Sequence, residues 1–487
     1  MTRFADGPNI SLADIANATA KFRAASSPAA VFPIVPKENR YDFLFEDLQH
    51  DPANLLEPNT NTTANLIRLG ESMLDQNPID PSGDSRIPSA YTYLGQFIDH
   101  DITRQSLQPP QVLSATTLPL TLDELRQATN SRSVGLDLDC LYGPAVEPGT
   151  AYDIPKDPNN GEKLKIERTA SLPSTSELPR EQKSPHAALI GDRRNDENLV
   201  ISQLHLAFML AHNRLVTEGE SFESARQLLR RHYQWIVVND YLFKIADPEI
   251  VSSILEGKLN LFDPPDDATF MPLEFAVAAF RFGHSMIRDV YNYNQFFERA
   301  QLFQLLLPGF LKLYHHILTE WTIDWRRFID GRNMARSIDT LLAQGLKRID
   351  DGRGNTLPFG MGTIDLLKGF LLRVPTGEAV ARRLGETELS TSDILKVVTT
   401  EQAEILVSGF EKRTPLWFYI LAEAQASGTG RLGRVGSKIV ASVLIGLARK
   451  SRDSYFRIMD WTPTLSTRPR FELPDLFQFA GVLPNNE

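Results

Sequence analysis

The sequence predicts a mainly α-helical protein with long loops and very little β-structure. Residues 197–241 repeat apolar side chains at helical spacing, and residues 274–290 (EFAVAAFRFGHSMIRDV) are apolar nearly all round, as in a buried helix. Strict two-residue alternation, which marks half-buried strands, is scarce along the chain. We therefore expect one large helical domain, although 487 residues would allow two or three.

The other elements follow from local patterns, because proline, glycine and polar clusters interrupt the apolar periodicity. In chain order they are a loop at 76–88, a helix at 92–105, a polar connection at 143–185, a break at Pro264 and Pro265, helices at 391–408 and 437–450, and an irregular tail from residue 462. This order predicts an N-terminal extension at 1–75 packed on the core, a main domain at 76–455 and a C-terminal tail at 456–487.

Composition disfavours several classes of protein. With 51 basic and 61 acidic residues the formal net charge is −10, which argues against a nucleic-acid or anionic-membrane binder. Cys140 is the only cysteine, so neither an intramolecular disulfide nor a cysteine-cluster metal site is possible. No classical secretion signal is visible and no apolar run reaches the ~20 residues of a transmembrane helix. We expect a soluble protein whose location and oligomeric state stay open.

A first group of polar residues, GQFIDHD at 95–101, ends the helix predicted at 92–105. Gln96 and His100 are four residues apart and share a helix face, whereas Asp101 points about 100° away from His100. Gln96 and His100 are therefore expected to contact one partner and Asp101 another. A capped helix end with a hydrogen-bonded histidine is the structural alternative.

A second group, GDRRNDEN at 191–198, leads into an apolar helix. Arg194 and Glu197 are three residues apart and can project together from the helix start. A solvated helix N-terminus is the alternative. His205 and His212 are seven residues apart, too far to share one metal, and we interpret them as packing or hydrogen-bonding residues.

The third group is FRFGHSM at 280–286. A histidine in so apolar a segment needs a partner, and Gly283 beside His284 would let a large flat group approach the backbone. A lone core histidine is more often structural than a ligand. The hypothesis that His284 is a ligand therefore depends on its combination with the first two groups.

Two loops also resemble ligand sites. The loop SVGLDLD at 133–139 offers oxygen atoms at every second residue, which suits a hard cation, chiefly calcium; a surface pair of aspartates is the alternative. It is not an EF-hand, because the fixed glycine and the closing glutamate are absent. The string GTGRLG at 428–433 matches the dinucleotide-binding pattern but follows a helix-like segment, so we predict a helix–helix loop there.

Taken together, GQFIDHD, GDRRNDENLVISQLHLAFMLAHNRL and FRFGHSMI, in this order, resemble the animal-type haem peroxidases of the peroxidase–cyclooxygenase superfamily, particularly its bacterial members. The resemblance covers residues 91–449. It implies that the main domain at 76–455 binds haem b and reduces hydrogen peroxide through a ferryl state. A small phenolic or halide donor would return the electrons.

The resemblance also implies roles for the catalytic and haem-binding residues. His100 would be the distal histidine with Gln96 as its companion, and Arg194 would be the distal arginine. His284 would be the proximal iron ligand. Asp365, from DLLKGFLLRVPTG, takes the place of the family's asparagine as the acceptor of the other ring N–H of His284.

Further ligands follow from the same resemblance. Arg281 joins the haem-binding residues, and Asp99 and Glu197 occupy the positions that form ester bonds to haem methyl groups in many relatives. Asn198 replaces the methionine of a third link, which is therefore not expected. The implied calcium ligands are Asp101, Ser133, the Gly135 carbonyl, Asp137 and Asp139.

These residue types suit the cleavage of peroxide. A neutral histidine can move one proton from the inner to the leaving oxygen, first as a base and then as an acid. A fixed guanidinium stabilises the hydroxide that departs. The sequence thus predicts His100 and Arg194 as the pair that performs these two tasks.

Two other functions stay open. A fatty-acid oxygenase of the dioxygenase or cyclooxygenase type requires a radical-forming tyrosine three residues before the proximal histidine, where this chain has Arg281. The string Tyr314-His315-His316 resembles such a site only superficially. A haem-binding protein without activity is disfavoured because the distal and proximal residues are all present.

Overall fold

Helices form most of the regular structure, so the predicted mainly helical class is confirmed. The structure, a computed structural model, describes residues 40–106, 113–143, 154–169, 175–183, 186–265, 269–301, 316–349, 357–466 and 470–483. Its α-helices are α1 (Thr60–Ser72), α2 (Ala90–Ile102), α3 (Leu122–Leu125), α4 (Asp139–Tyr142), α5 (Leu199–Thr217), α6 (Phe222–Ile236), α7 (Leu242–Ile245), α8 (Pro248–Leu255), α9 (Leu273–Ala276), α10 (Arg326–Ile329), α11 (Met361–Leu371), α12 (Gly377–Arg383), α13 (Thr391–Val397), α14 (Thr400–Gly409), α15 (Leu416–Ser427), α16 (Arg434–Lys450) and α17 (Leu473–Phe479).

The strands are short and pair in twos. They are β1 (Tyr41–Asp42), β2 (Asp84–Pro88), β3 (Gln105–Ser106), β4 (Thr129–Asn130), β5 (Lys156–Asp157), β6 (Asn160–Leu164), β7 (Glu167–Arg168), β8 (Ser176–Glu177), β9 (Met271–Pro272), β10 (Val290–Tyr291), β11 (Ala300–Gln301) and β12 (Met334–Arg336). The pair β1–β9 is parallel, and β2–β12, β3–β4, β5–β6, β7–β8 and β10–β11 are antiparallel. Some of these strands lie in connections predicted as irregular: β2 lies within 76–88, and β5 to β8 lie within 143–185.

The predicted continuous helix at 274–290 is wrong. The segment is divided into α9, a 3-10 helix at Ala279–His284 and the strand β10. The break lies at Ala278, whose backbone has φ −134° and ψ −74°. The Nε of Arg281 donates to the Ala276 carbonyl at 2.8 Å and so satisfies an acceptor at the end of α9. An apolar pattern reports burial, and it does not distinguish one long helix from short pieces.

Two further predictions of regular structure need correction. The helix predicted at 391–408 consists of α13 and α14, because Thr399 and Gln402 form a capping box that begins a new helix. The tail predicted as irregular contains α17, which begins at a capping box formed by Glu472 and Asp475 and buries Leu473 among other apolar side chains. The loop predicted at 428–433 does join two helices, α15 and α16.

The core is built around α2 and α5, which pack against each other. The rings of Phe97 on α2 and Phe208 on α5 stack with centroids 4.5 Å apart, and Tyr233 on α6 meets both edge-on. This aromatic contact fixes α2, which carries GQFIDHD, against the helix that follows GDRRNDEN. The two distant motifs are thereby brought to one place.

A glycine contact fixes α11 against α1. A Cβ at Gly70 on α1 would collide with the backbone of Thr363 on α11, and a Cβ at Gly362 would lie 2.7 Å from the Gly70 carbonyl oxygen. The two helices therefore cross with their backbones in contact. Since α11 carries Asp365, this crossing positions a predicted site residue.

No helix within the described ranges is both long enough and apolar enough to cross a membrane. The division of the chain at residues 75 and 455 stays a prediction, and residues 1–39 of the N-terminal extension lie outside the described part.

We expect Gly70→Ala to lower the free energy of unfolding by about 1–3 kcal/mol, because the added methyl group overpacks the helix crossing. Gly369→Ala on α11 is the matched control, since its Cβ meets nothing within 4 Å. It should raise the free energy by about 0.5–1 kcal/mol, because alanine loses less backbone entropy in a helix. Urea unfolding followed by circular dichroism measures both, and equal effects of the two variants would contradict the contact.

Candidate functional site

A cavity lies between α2 and the 3-10 helix at Ala279–His284. It is lined by Thr92, Tyr93, Gly95, Gln96, Asp99, Tyr241, Phe280, Arg281, Gly283, His284 and Ile287. The first motif, GQFIDHD at 95–101, and the third motif, FRFGHSM at 280–286, therefore form opposite walls of one space. The second motif is GDRRNDEN at 191–198.

His284 on one wall of the cavity is hydrogen-bonded to Asp365. His284 Nδ1 lies 2.6 Å from Asp365 Oδ2, and the carboxylate is buried on α11. An ionised carboxylate only accepts, so the bond requires a proton on Nδ1 and leaves the lone pair of a neutral ring on Nε2. A histidine held in this way has the tautomer that a metal ligand needs.

Two glycines keep the cavity open. A Cβ at Gly283, next to His284, would meet nothing within 4 Å, so the backbone here borders open space. On the opposite wall a Cβ at Gly95 would lie 2.6 Å from the Tyr241 hydroxyl. Tyr241 belongs to a π-helical segment, Val237–Tyr241, a type of irregularity that is frequent at functional sites.

An ion pair connects the two walls. Arg281 Nη1 lies 3.4 Å from Asp99 Oδ2, and both side chains are more than nine-tenths buried. Asp99 Oδ1 also accepts from Thr103 Oγ1 at 3.0 Å. Charge on Arg281 is thus compensated inside the cavity by a carboxylate of α2.

Gln96 connects α2 to the second motif. Its Nε2 donates to Glu197 Oε1 at 2.5 Å, and Glu197 is buried. The next residue, Asn198, caps α5 by accepting from the Ile201 amide at 3.0 Å. A methionine could not supply this oxygen, so asparagine at this position has a structural reason.

The Nδ1 side of the His100 ring faces the second motif. This buried ring has Nδ1 2.7 Å from Asn195 Oδ1, and Asn195 Nδ2 lies 3.0 Å from His205 Nδ1. Neither His100 nor Arg194 is among the described residues that line the cavity. His205 is a hydrogen-bonding residue, as interpreted from the sequence. His212 is one too, with its ring 3.0 Å from the Tyr142 hydroxyl.

The Arg194 guanidinium lies at the C-terminal end of α2. It donates to the backbone carbonyls of His100 at 3.1 Å and Thr103 at 2.7 Å. These carbonyls carry the negative end of the helix dipole, which favours a cation at this place. Arg194 is thereby fixed next to His100 by the helix that carries it.

Asp192 fixes the Arg194 side chain through an ion pair. It pairs with Arg194 at 2.8 Å and with the buried Arg132, and its carboxylate also caps the 3-10 helix Arg193–Asp196 through the Arg194 amide. Burial acts to raise the pKa of Asp192, but the two guanidinium groups outweigh it and hold the pKa well below its usual range. The carboxylate is therefore ionised at neutral pH.

Two buried carboxylates, Asp101 and Asp139, and the half-buried Asp137 meet at the predicted calcium loop. Asp101 accepts from the amides of Leu138 and Cys140, both at 3.2 Å, and Asp139 accepts from the Ser133 amide at 2.7 Å. Burial is the main cause that raises the pKa of Asp101, Asp137 and Asp139, and for Asp101 repulsion from Asp139 adds to it.

This loop has unsatisfied oxygen atoms. Asp137 Oδ1 and Asp139 Oδ1 are buried and have no hydrogen-bond partner in the structure. Ser133 Oγ lies 3.3 Å from Asp137 Oδ2, and a Cβ at Gly135 would be 2.7 Å from the same oxygen. Even so, no three His, Cys, Asp or Glu side chains of the described ranges are already arranged around a metal position.

Sequence reasoning missed Asp192, Arg132 and Asn195. Arg132 and Asp192 are 60 residues apart, so no local pattern connects them. Asp192 did have a readable signal, because an aspartate directly before a short polar turn is a common N-cap. Of the Tyr314-His315-His316 string, the first two residues lie outside the described part, and His316 Nδ1 is 3.3 Å from Glu177.

Comparison with protein families gives a match to the animal haem peroxidase model over residues 108–354, half of the chain. Similar proteins are the peroxidase-like protein of Margaritifera margaritifera, 22% identical over 57% of this chain and 43% of its own length, and peroxidase mlt-7 of Caenorhabditis elegans, 25% identical over 41% and 33%. Thyroid peroxidase of Rattus norvegicus is 26% identical over 34% and 20%. The chain spans less than half the length of each of these relatives.

Solved structures share the fold. Peroxidase A from Dictyostelium discoideum has a TM-score of 0.59 at 16% identity and covers 93% of this chain and 91% of its own. The fatty acid alpha-dioxygenase of Arabidopsis thaliana also has a TM-score of 0.59, at 14% identity over 85% and 72%. At these identities the likeness concerns architecture alone.

We expect Asp192→Asn to lower the free energy of unfolding by about 3–5 kcal/mol, because it leaves two guanidinium groups without their buried carboxylate. The folded pKa of Asp192 lies below its unfolded value of about 3.9, so its contribution is complete above that pH and is lost as the pH falls through the folded pKa. In urea unfolding between pH 4 and 7, the wild type and Asp192→Asn should differ in free energy of unfolding by the same amount at each pH. The exposed Asp123→Asn should change stability by less than about 0.5 kcal/mol, and a similarly small change in Asp192→Asn would refute the role of this cluster.

Proposed function

The chain belongs to the animal haem peroxidase family, and we propose that it is a haem peroxidase, which reduces hydrogen peroxide and takes the electrons from a small phenolic or halide donor. One observation carries the proposal. His284, with Asp365 at its Nδ1, faces Gln96 and Asp99 of α2 across a single cavity. An imidazole on one wall and a polar helix on the other suit a haem with a proximal and a distal side.

The residues around the cavity fit a haem. His284 Nε2 would ligate the iron, since Asp365 keeps the proton at Nδ1. The open space at Gly283 would accept a flat ring against the backbone. Arg281 lines the cavity beside His284, at the haem-binding position that the resemblance implies for it.

When bound, the haem would supply an iron that binds peroxide and takes up its oxidising equivalents. We assign to His100 the transfer of one proton between the two peroxide oxygens, which a neutral imidazole performs as a base and then as an acid. Arg194, fixed at the C-terminal end of α2, places positive charge beside His100 for the hydroxide that leaves. Gln96 would orient the polar wall through Glu197.

We retain the proposal of ester links at Asp99 and Glu197. Both carboxylates are buried and hydrogen-bonded at the wall formed by α2 and the second motif, so their positions are fixed. With haem bound, peroxide would supply the two-electron oxidation that removes a hydrogen from a haem methyl group, and a carboxylate oxygen fixed beside that carbon would form the new C–O bond.

A fatty-acid oxygenase is the weaker alternative. Its radical-forming tyrosine would stand at position 281, and the arginine found there is committed to the Ala276 carbonyl and to Asp99. A protein that binds haem without activity is distinguished by the experiments that follow.

We expect His284→Ala to abolish haem binding, because it removes the proposed iron ligand. The measurement is titration of the purified protein with haem, followed at the Soret band, and then oxidation of a phenolic dye with peroxide. His50→Ala is the control, since His50 is exposed and lines a different cavity. Wild-type protein with no Soret band would overturn the proposal, and a Soret band without dye oxidation would favour the non-enzymatic alternative.

We expect Arg194→Ala to keep the haem but slow the reaction with peroxide by on the order of 10²–10³-fold, the usual cost of removing one group that stabilises developing negative charge. Stopped-flow spectroscopy measures this step. An unchanged rate would remove Arg194 from the mechanism. The Soret band of the variant controls for its loss of the Asp192 ion pair.

We also propose that Asp101, Ser133, Gly135, Asp137 and Asp139 hold a calcium ion. Two observations support it: the carboxylate oxygens without partners at Asp137 and Asp139, and the burial of Asp101 and Asp139 beside the half-buried Asp137. Oxygen ligands from side chains and a backbone carbonyl match the preference of Ca²⁺. The ion would join α2, which carries Asp101, to the loop at 133–139.

Chelation tests the calcium proposal. A bound ion at about 100 times its dissociation constant stabilises the folded state by about 2.7 kcal/mol, so EGTA should lower the melting temperature and Ca²⁺ should restore it. Asp137→Asn should abolish this response, whereas the exposed Asp47→Asn should keep it. A melting temperature of the wild type that is unaffected by EGTA, with no calcium found by elemental analysis, would exclude the ion.

A further inference from the structure

We propose that Asn195 is a positioning residue that fixes the tautomer of His100 and so keeps the lone pair of this ring on Nε2. The basis is a chain of two hydrogen bonds through one buried amide. Asn195 Oδ1 lies 2.7 Å from His100 Nδ1, and Asn195 Nδ2 lies 3.0 Å from His205 Nδ1. The catalytic meaning of this chain rests on the peroxidase function proposed above, whereas the tautomer itself does not.

The chemistry of the amide decides where the protons are. A carboxamide oxygen only accepts hydrogen bonds, and its nitrogen only donates. The oxygen facing His100 therefore requires a proton on Nδ1 of His100, and the nitrogen facing His205 requires a lone pair on Nδ1 of His205. Because a neutral imidazole carries a single proton, the two rings adopt opposite tautomers.

His205 is suited to hold the amide. Burial lowers the pKa of His205 to about 3, so the ring is neutral and brings no charge close to His100. It lies in the aromatic contact between α2 and α5, with its ring centroid 6.0 Å from that of Phe97. This packing restricts the ring, and the ring in turn restricts the amide.

The backbone around Asn195 is also fixed. In the 3-10 helix Arg193–Asp196, Arg194 is bonded to Asp192 and α2, and Asp196 accepts from Arg180 at 2.7 and 2.9 Å. Asn195 lies between these two anchors and is itself fully buried. The Asn195 side chain is therefore fixed between His100 and His205.

This arrangement matters for proton transfer. His100 keeps its Nδ1–H bond to Asn195 both as the neutral base and after it takes a proton at Nε2, because Nδ1 carries a proton in both forms. The amide need not reorient during the reaction, so the site stays preorganised. With the amide reversed, the hydrogen bond would be lost each time His100 became protonated.

The test observes the tautomers directly. The full chain, labelled with ¹⁵N-histidine and with any haem it carries kept in the diamagnetic ferrous carbon monoxide form, is studied by long-range ¹H–¹⁵N NMR at about pH 9, well above the reference histidine pKa of about 6.5. Spectra of His100→Gln and His205→Gln assign the two rings among nine histidines. In the wild type we expect Nδ1–H for His100 and Nε2–H for His205.

Two variants sharpen the result. In Asn195→Ala, His100 should shift toward Nε2–H, the form that a free imidazole prefers in water. In Asn195→Asp the carboxylate accepts from both rings, so His100 should keep Nδ1–H while His205 changes to Nδ1–H. Arg193→Ala, which changes an exposed residue of the same turn, should leave both rings as in the wild type.

The wild-type spectrum alone can overturn the proposal, even if a variant fails to fold: His100 with Nε2–H would do so, as would an Asn195→Ala spectrum identical to the wild type. Haem-loaded Asn195→Ala should also react with peroxide on the order of 10²–10⁴-fold more slowly, the usual contribution of a positioned base. The expected tautomers in a wild type that does not react with peroxide would support the role of Asn195 in positioning and refute the proposed function instead.

Discussion

The ion-pair cluster of Asp192 with Arg132 and Arg194 is the constraint on which the second motif depends. It sets a carboxylate between two guanidinium groups in the interior, where removing one member leaves a buried charge without compensation. The same carboxylate begins the 3-10 helix that carries Asn195 and Asp196. A single buried charge therefore decides both where the turn starts and which way its side chains face.

The opposite wall of the cavity depends on contacts of a different kind. Asp365 reaches His284 because α11 lies in backbone contact with α1, and that contact is possible only where glycine replaces a larger residue. One wall is thus held by charge and the other by close packing. The cavity lies between them, and the ion pair of Arg281 with Asp99 joins its two walls.

Much of this could be predicted from the sequence, and the failures have physical reasons. The helical class, the three motifs and the partnership of His284 and Asp365 follow from spacing or from resemblance, because they are encoded locally or in recurring strings. The break at Ala278 was missed because a continuous apolar pattern carries no boundary, whereas Thr399 and Gln402 did signal one. The contacts of Asp192 with Arg132 and of Asn195 with His100 join residues 60 and 95 apart in the chain, which periodicity cannot report.

The 3-10 conformation of Ala279–His284 has a consequence for how this cavity can change in evolution. In a 3-10 helix the side chains three residues apart eclipse each other, whereas in an α-helix they diverge. Arg281 therefore projects from the same side of the backbone as His284, and both line the cavity. A substitution at position 281 changes the group beside the histidine and also removes the hydrogen-bond partner of the Ala276 carbonyl and the ion-pair partner of Asp99. The residue at this position therefore couples the chemistry of the cavity to the end of α9.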